Sequence, residues 1–444
     1  MPTLGLTLGD PCGIGPELWV QILCAESAAA SSLAASHEPG PALRLYGDAG
    51  VLTRAAQQLH LSDAWQHLVS SGTVQVISVT NLTAAQSLPG QPTSASGAAQ
   101  VAYLDAVIAD AARGQVQGLV TGPIHKASAK AAGLSFPGHT ELLADRLPGD
   151  GQVVMMLAGP RLRVALCTTH LALSAVPAAL TIEGITQVLR TTVLALHQDF
   201  GVLAPVVWVA GLNPHAGEAG HFGDEETRLI APAIAAALAL PELQALPGLQ
   251  LTGPHVPDAV FRSAVFPPAS PLSAGLAGTG GRPDAVVAMY HDQGLIPLKL
   301  LDFEQAVNVT LGLRLPRTSP DHGVAHDIAG KGLARPHSQQ AALALCRHDW
   351  ALVVACDCPL FPLDLCTTLQ QARQQQALVL VHDGDHLQPL FMLIHRQLLP
   401  SLQQAIARQQ HKVGQWAHAQ SPIIVHIHTP ECFINLNTLA DLDF

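Results

Sequence analysis

Ala285-Val286-Val287-Ala288-Met289-Tyr290-His291-Asp292-Gln293-Gly294-Leu295-Ile296-Pro297-Leu298-Lys299 is the stretch on which the fold class turns. Its apolar start predicts a buried strand. The strand opens into a polar turn that holds an imidazole, a carboxylate, an amide and a Gly, with an ammonium eight positions after the His. In α/β enzymes, strand ends of this kind carry the ligand sites. A His there is placed to bind a metal or to move a proton.

Working outward, the same pattern recurs. The run 162–167 ends in Thr168-Thr169-His170, and Val206–Ala210 leads to Asn213-Pro214-His215-Ala216-Gly217-Glu218. Three strands therefore end in His-bearing turns: His170, His215 and His291. Their separation in sequence does not fit a local finger. It fits a site assembled from several loops at one edge of a sheet. Three neutral imidazoles with positions left open for substrate describe a catalytic divalent-metal site. Downstream, Lys299, Asn308 and Arg317 follow at nine-residue steps. Lys and Arg suit a phosphate or carboxylate, and Asn adds a neutral donor.

Other strand-like runs lie at 4–8, 43–47, 74–79, 118–121, 153–157 and before Gly253, with helical stretches between them, notably 98–112 and 181–200. This alternation predicts an α/β domain with a largely parallel sheet. The apolar stretch Leu229–Leu240 is short and is expected to break at Pro232. Gly9-Asp10-Pro11-Cys12-Gly13-Ile14-Gly15-Pro16-Glu17 makes a glycine-rich turn into a helix that starts near Pro16. Such a turn can aim N–H groups at an anion, but it lacks the G-x-G-x-x-G spacing of a Rossmann site. Residues 267–282 are rich in Pro, Gly, Ser and Ala and read as a flexible insertion.

Composition narrows the function. The chain has 444 residues, 48% hydrophobic and 12% charged, so large cores are expected rather than disorder. Sparse aromatics and a net charge of -11 disfavour nucleic-acid binding. No segment has the length and apolarity of a membrane span, and the N-terminus enters a strand at once, without a basic leader. Eight Cys without a zinc-finger or C-x-x-C spacing point to a reducing, cytoplasmic setting.

Taken in order, GDPCGIGPE, VTGPIHK, PGHTE, TTHLAL, GLNPHAGE, YHDQGL, NVTLGL, RTSPDHG and DIAGKG resemble the 4-hydroxythreonine-4-phosphate dehydrogenase family across about residues 3–335. The resemblance implies a two-lobed α/β fold of the isocitrate and isopropylmalate dehydrogenase type. It further implies a homodimer with shared active sites, NAD or NADP as cofactor, and one divalent metal (zinc, magnesium or cobalt) per site. Residue by residue, the metal ligands fall on His170, His215 and His291. Substrate binding falls on His139, Thr140, Lys299, Asn308 and Arg317. The loop with His322, Gly323 and Asp327 takes the cofactor, and Lys126 or Asp258 serves in proton transfer. The implied reaction oxidises and decarboxylates 4-phosphonooxy-L-threonine to 3-amino-2-oxopropyl phosphate, a step in pyridoxal 5'-phosphate biosynthesis. The rivals are a dehydrogenase of threonate or erythronate phosphate, and a ligand-binding dimeric scaffold whose tail recruits a molybdopterin-related partner.

Three features depart from that family: Cys12 in place of Ala, a longer segment between Phe261 and Asp284, and no recognisable terminal helix after Pro336. The dehydrogenase is therefore expected to span 1–337. Residues 338–444 resemble the C-terminal half of molybdenum cofactor guanylyltransferase. Trp350 to Pro362, His382-Asp383-Gly384, Gln388-Pro389-Leu390-Phe391, Arg396, Lys412 and Phe433 to Thr438 carry this likeness, with Asp357 at the magnesium-binding position. No Gly-rich nucleotide loop accompanies them, so an incomplete α/β nucleotidyltransferase-like segment without transferase activity is expected.

Overall fold

The computed structural model describes residues 3–32, 41–136, 138–149, 152–266 and 282–345, and beyond these 350–353, 369, 378–383, 387–395, 398, 401, 416–417, 419–420 and 422–427. Two compact units divide the chain: 1–29 with 41–346, and 30–40 with 347–444.

Eleven strands build the first unit: β1 (Thr3–Thr7), β2 (Ala42–Gly47), β3 (Val74–Ser78), β4 (Gly118–Thr121), β5 (Val154–Ala158), β6 (Arg163–Leu166), β7 (Val206–Ala210), β8 (Gln250–His255), β9 (Ala285–Ala288), β10 (Val307–Leu311) and β11 (Arg317–Pro320). They form one sheet in the order β3-β2-β1-β4-β11-β10-β5-β6-β9-β7-β8. One wing, β3 to β11, is parallel throughout. The other, β6 to β8, is parallel as well. Between them β11, β10, β5 and β6 pair antiparallel. Three reversals of direction make the two wings run opposite ways, which gives the sheet its two lobes. The sheet is largely parallel, as expected, with an antiparallel centre; β6, β9 and β7 are parallel neighbours in one wing, so the turns of His170, His215 and His291 share an edge, whereas the other wing's strands end at the opposite edge.

The wings follow from residue type. β4 and β9 are buried along their whole length, as strands covered on both faces are. The helix Ser94–Ala112 starts at a capping box between Thr93 and Ser96 and buries Tyr103, Leu104, Val107 and Ile108. Ile182–Gln198 starts where the Thr181 hydroxyl accepts from Gly184 N, and buries Ile185, Leu189, Val193 and Leu196. The expected break at Pro232 does not occur. A π-type turn, Glu226–Ile230, in which Ala231 N donates to Glu226 O, runs directly into the helix Ala231–Leu238, and Pro232 lies just past it.

A terminal helix is present, against expectation. His337–Leu345 lies on β10 and β11 with Ala342 and Leu343 fully buried. The Thr318 hydroxyl donates to Ala342 O at 2.8 Å, and the Ser338 hydroxyl to Ala306 O at 2.7 Å. This helix belongs to the first unit, so packing divides the chain after residue 346 rather than at 338. Its short apolar face escapes pattern reading because nine residues starting behind Pro336 carry little helical periodicity.

The second unit holds β12 (Trp350–Val353), β13 (Leu378–His382), β14 (Leu387–His395) and β15 (Ile423–His426) in the order β12-β14-β13-β15. β14 pairs antiparallel with β12 and β13, and β15 runs parallel to β13. Leu378, Leu380, Met392, Trp416 and Ala417 form its core. Asp357 with its flanking cysteines, Arg396, Lys412, 433–438 and the insertion at 267–281 lie outside the described residues. Among the described residues, no helix is long and apolar enough to cross a membrane.

Candidate active site

A cavity of about 280 Å³ lies against the central antiparallel strands. Side chains two apart on a strand share a face, so Arg317 and Ser319 of β11 point the same way. Register sets Thr310 and Asn308 of β10 opposite them. Arg317, Ser319, Asn308 and Met155 of β5 make the floor of the cavity. Loops and helix ends supply the walls: Lys126, His139, Thr140, Glu141, His170, His291, Lys299, Asp321, His322 and Gly323.

The cationic end is built into the sheet. Arg317 is 2% exposed, donating from Nη1 to Thr310 Oγ1 at 2.9 Å and from Nη2 to Thr121 Oγ1 at 2.6 Å. Lys299 comes from the helix His291–Asp302, and its Nζ is 3.0 Å from Asp321 Oδ2. Asn308 Oδ1 and His139 Nε2 are buried without a hydrogen-bond partner among the described residues. Burial first, then the charges of Arg317 and Lys126, hold the His139 imidazole well below its usual range. A neutral His139 at the first position of the helix His139–Arg146 can donate one bond to an oxyanion.

Two imidazoles form the other end. His170 follows β6 and His291 follows β9, and their ring centroids are 5.7 Å apart. Burial, then Lys126 and His291, keep the His170 imidazole below its usual range, with Glu141 opposing them. His291 Nδ1 bonds Asp292 Oδ1 at 2.7 Å. Imidazole nitrogens are donors of the type divalent metals take.

His215 is elsewhere. With Asp258 it lines a second cavity, about 390 Å³, whose walls include Tyr290 and Gln293. The first turn of the helix His291–Asp302 thus borders both cavities. Gln293 ties the turn down, accepting from Met289 N at 2.6 Å and donating to Gly211 O at 2.6 Å. The His215 loop is strained: His215, Ala216, Gly217, Glu218 and Ala219 all have positive φ, at 54, 52, 82, 42 and 57°. Left-handed residues other than Gly cost about 1–2 kcal/mol each, and such strain clusters at functional sites. Glu226, 3% exposed, holds the loop: its Oε1 accepts from Leu212 N and Asn213 N at 2.8 and 2.7 Å. Among the described residues, no three His, Cys, Asp or Glu side chains converge as a metal site. His170 and His291 therefore fit a divalent ion as two donors that need a third from elsewhere.

The loop 322–332 closes the cavity on the first wing. His322 Nδ1 donates to Gly323 O at 3.1 Å, which leaves the buried Nε2 as an acceptor without a partner among the described residues. Burial keeps this imidazole below its usual range, against Gly323 O and Asp321. The loop is tied to the N-terminal turn. His326 Nε2 is 2.8 Å from Asp10 Oδ2, Ile14 N donates to Val324 O, and Glu17 Oε2 accepts from Gly330 N at 3.1 Å. Gly330 has φ +73, and a Cβ there would come 2.7 Å from Pro89 Cβ, so only Gly suits this contact. Asp327 stands exposed, outside the cavity.

Of the residues expected from sequence, Lys126, His139, Thr140, His170, His291, Lys299, Asn308, Arg317, His322 and Gly323 thus come together, and His215, Asp258 and Asp327 do not. Two carboxylates of the cavity were missed, Glu141 and Asp321. Each stands beside a residue picked out, Thr140 or His322, and a carboxylate among clustered cations was the available signal.

Crystal structures of 4-hydroxythreonine-4-phosphate dehydrogenase from Klebsiella pneumoniae (TM-score 0.61, 34% identity, covering 78% of this chain and 97% of that one) and of a terephthalate 1,2-cis-dihydrodiol dehydrogenase from Burkholderia xenovorans (TM-score 0.51, 30% identity, 78% and 97%) are similar to this fold. The sequence pattern of the pyridoxal phosphate biosynthetic protein PdxA matches residues 41–346, and the chain belongs to that family. Proteins named 4-hydroxythreonine-4-phosphate dehydrogenase are 44% identical in Desulfosudis oleivorans (349 residues, 77% of this chain and 94% of the relative) and 43% in Xanthomonas axonopodis pv. citri (350 residues, 78% and 97%). The chain is an oxidoreductase, and membership implies a nicotinamide cofactor and a divalent metal. A MobA-like NTP transferase pattern matches residues 317–423. Its first part, through residue 346, folds in the dehydrogenase unit.

Proposed function

We propose that this protein oxidises and decarboxylates 4-phosphonooxy-L-threonine to 3-amino-2-oxopropyl phosphate, using NAD or NADP, as a cytoplasmic step of pyridoxal 5'-phosphate biosynthesis. The carrying observation is a single cavity with the buried Arg317 and the partly exposed Lys299 at one end and the imidazoles of His170 and His291 at the other. Arg317 and Lys299 hold the phosphate. His139, whose buried Nε2 otherwise lacks a partner, donates to it, and the Asn308 amide N–H and the Thr140 hydroxyl help to orient it. Distance along the substrate then brings the secondary hydroxyl to His170 and His291.

His170 and His291, with His215, would hold the divalent ion. When bound, it lowers the pKa of the hydroxyl and polarises the carbonyl that replaces it. All-nitrogen donors favour zinc or cobalt over magnesium. His322, Gly323 and the loop to Asp327 would hold the nicotinamide cofactor, which accepts the hydride. Lys126 stands at the cavity wall and Asp258 beside His215. Either can take the hydroxyl proton and return one to the carbon that loses carbon dioxide.

We further infer a homodimer with shared sites. His215 and Asp258 lie in their own cavity, so a second copy is the source that completes the first. Support comes from the helix His291–Asp302 and the residue after it, where Ile296, Leu300 and Phe303 are 65%, 85% and 69% exposed. An apolar row of that kind is suited to cover by a partner.

The test is reduced-cofactor release from the phosphorylated hydroxythreonine, run beside threonate and erythronate phosphates, with NAD and with NADP. Turnover confined to the hydroxy acids would sink the substrate assignment.

A further inference from the structure

We propose that a further anion site, built by Arg161, Arg163 and Arg282 where β6 and β9 begin, takes a small phosphate monoester. The inference stands independently of the function proposed above.

The cavity there measures about 290 Å³, as large as the substrate cavity, and shares none of its residues. Local sequence makes it. The hairpin between β5 and β6 closes tightly, with Gly159 N donating to Leu162 O at 2.9 Å. Leu162 is buried in the core, and Arg161 and Arg163 on either side of it line the cavity. A third guanidinium, Arg282, arrives just before β9, with Pro283 and Asp284. β6 and β9 are parallel neighbours, so their starts lie at one edge of the sheet and the turns of His170 and His291 at the other.

Charge selects the ligand. Three Arg and one Asp line the cavity, a net of two positive charges. Two carboxylates stand by, and both are committed. Asp302 accepts from Arg161 Nε at 2.8 Å and from Arg161 N at 3.0 Å. Asp284 Oδ2 accepts from Val206 N at 2.8 Å, at the start of β7. Arg163 is half-buried, with Cζ 5.2 Å from the centroid of the Phe200 ring. Its Nη1 donates to a backbone carbonyl, Asp284 O, at 3.1 Å. Burial, opposed by Asp284 and aided by Arg282, brings its pKa below the ordinary guanidinium value. Arg282 is exposed and makes no hydrogen bond or ion pair among the described residues.

Like charges gathered around one cavity repel, and an anion relieves that repulsion. Guanidinium forks suit phosphate and carboxylate alike. A phosphate monoester carries about −1.5 to −2 at pH 7, which matches the lining, whereas a single carboxylate falls short. The cavity leaves room for the carbon part of the ester between Pro160 and Pro283.

Calorimetric titration of the full-length chain with glycerol 3-phosphate and with inorganic phosphate tests the site. A salt concentration of about 0.15 M screens charges as distant as the substrate cavity. Glycerol 3-phosphate should bind, and more tightly than inorganic phosphate. Arg282→Ala should weaken that binding roughly 10-fold or more, and Arg282→Glu should remove it. Because Arg282 is exposed and unbonded, neither change threatens the fold. Arg161→Lys, which keeps the charge and loses the fork, should weaken it less than Arg282→Ala does. An isotherm that Arg282→Glu leaves unchanged would place all phosphate binding at Arg317 and overturn the inference, as would no uptake of the ester. Uptake of inorganic phosphate without the ester would overturn the ligand class.

Discussion

The two ends of the cavity are made in different ways. The cationic end is part of the sheet: Arg317 is sealed in β11, bonded to Thr310 of the strand beside it and to Thr121 of β4. The imidazole end is made of loops. His170 is exposed, His291 begins a helix, and His215 sits on a left-handed turn in another cavity. A phosphate site needs fixed donors, and a sheet provides them at no further ordering cost. On the proposed shared site, the imidazole end would be completed by a second copy, so assembly would govern it. Binding of the charged tail and the chemistry can therefore be disrupted separately.

The largest effect is expected at the imidazole end. His215→Ala should lower turnover by more than about 100-fold and reduce bound metal, because loss of a ligand exceeds the 10- to 100-fold typical of outer-shell losses. Elemental analysis of the purified variant checks the metal. Mixing inactive His215→Ala with inactive Arg317→Ala, after dissociation and reassembly, should restore roughly a quarter of the activity if sites are shared across a two-fold axis. No recovery on mixing would place all three imidazoles in one chain.

Next comes the support behind the cationic end. Ending the chain after Ser338 removes Ala342 and Leu343 from β10 and β11, at a cost of roughly 2–5 kcal/mol for the buried Leu alone. Ending it after residue 346 keeps the helix and should preserve solubility and turnover. If both truncations behave alike in thermal unfolding, the helix does not belong to the dehydrogenase unit. Neither the full-length chain nor its tail is expected to transfer a guanylyl group from GTP to molybdopterin, since no Gly-rich nucleotide loop occurs in the sequence.

Arg317→Ala should cost roughly 2–4 kcal/mol of transition-state binding, about 30-fold to several hundred-fold in kcat/KM. The loss should vanish with a dephosphorylated substrate. An equal loss on both would move the phosphate elsewhere. Glu226→Ala frees the N–H groups of Leu212 and Asn213 and should weaken metal binding by roughly 10-fold without touching substrate. A metal titration that matches the wild type would show that the His215 turn holds its shape unaided. Lys299→Ala should do least, about fivefold, because the lysine is 37% exposed and already paired with Asp321. A Lys299 effect as large as that of Arg317 would erase the contrast between a buried and a screened cation.

Much of this was legible locally. Apolar runs at 118–121, 206–210 and 285–288 form strands where patterning put them, and Thr93 and Thr181 start helices as capping residues do. Ordered motifs identified the family and ten residues that line one cavity. Three things were decided only by tertiary structure. Arg317-Thr318-Ser319-Pro320 is too polar to read as a strand, and it becomes one because β4 and β10 flank it and bury it. β10–β11 and β5–β6 are local pairings, but the β10–β5 pairing that joins them links residues about 150 apart in sequence, so a local pattern could not announce that the wings oppose each other. Likewise His170, His215 and His291 look equivalent as strand-end histidines, but the first turn of the helix His291–Asp302 borders two cavities and puts His215 in the second. Hydrophobic period records which face of an element is buried. Which elements meet, and on which side, depends on long-range register that no short stretch of sequence contains.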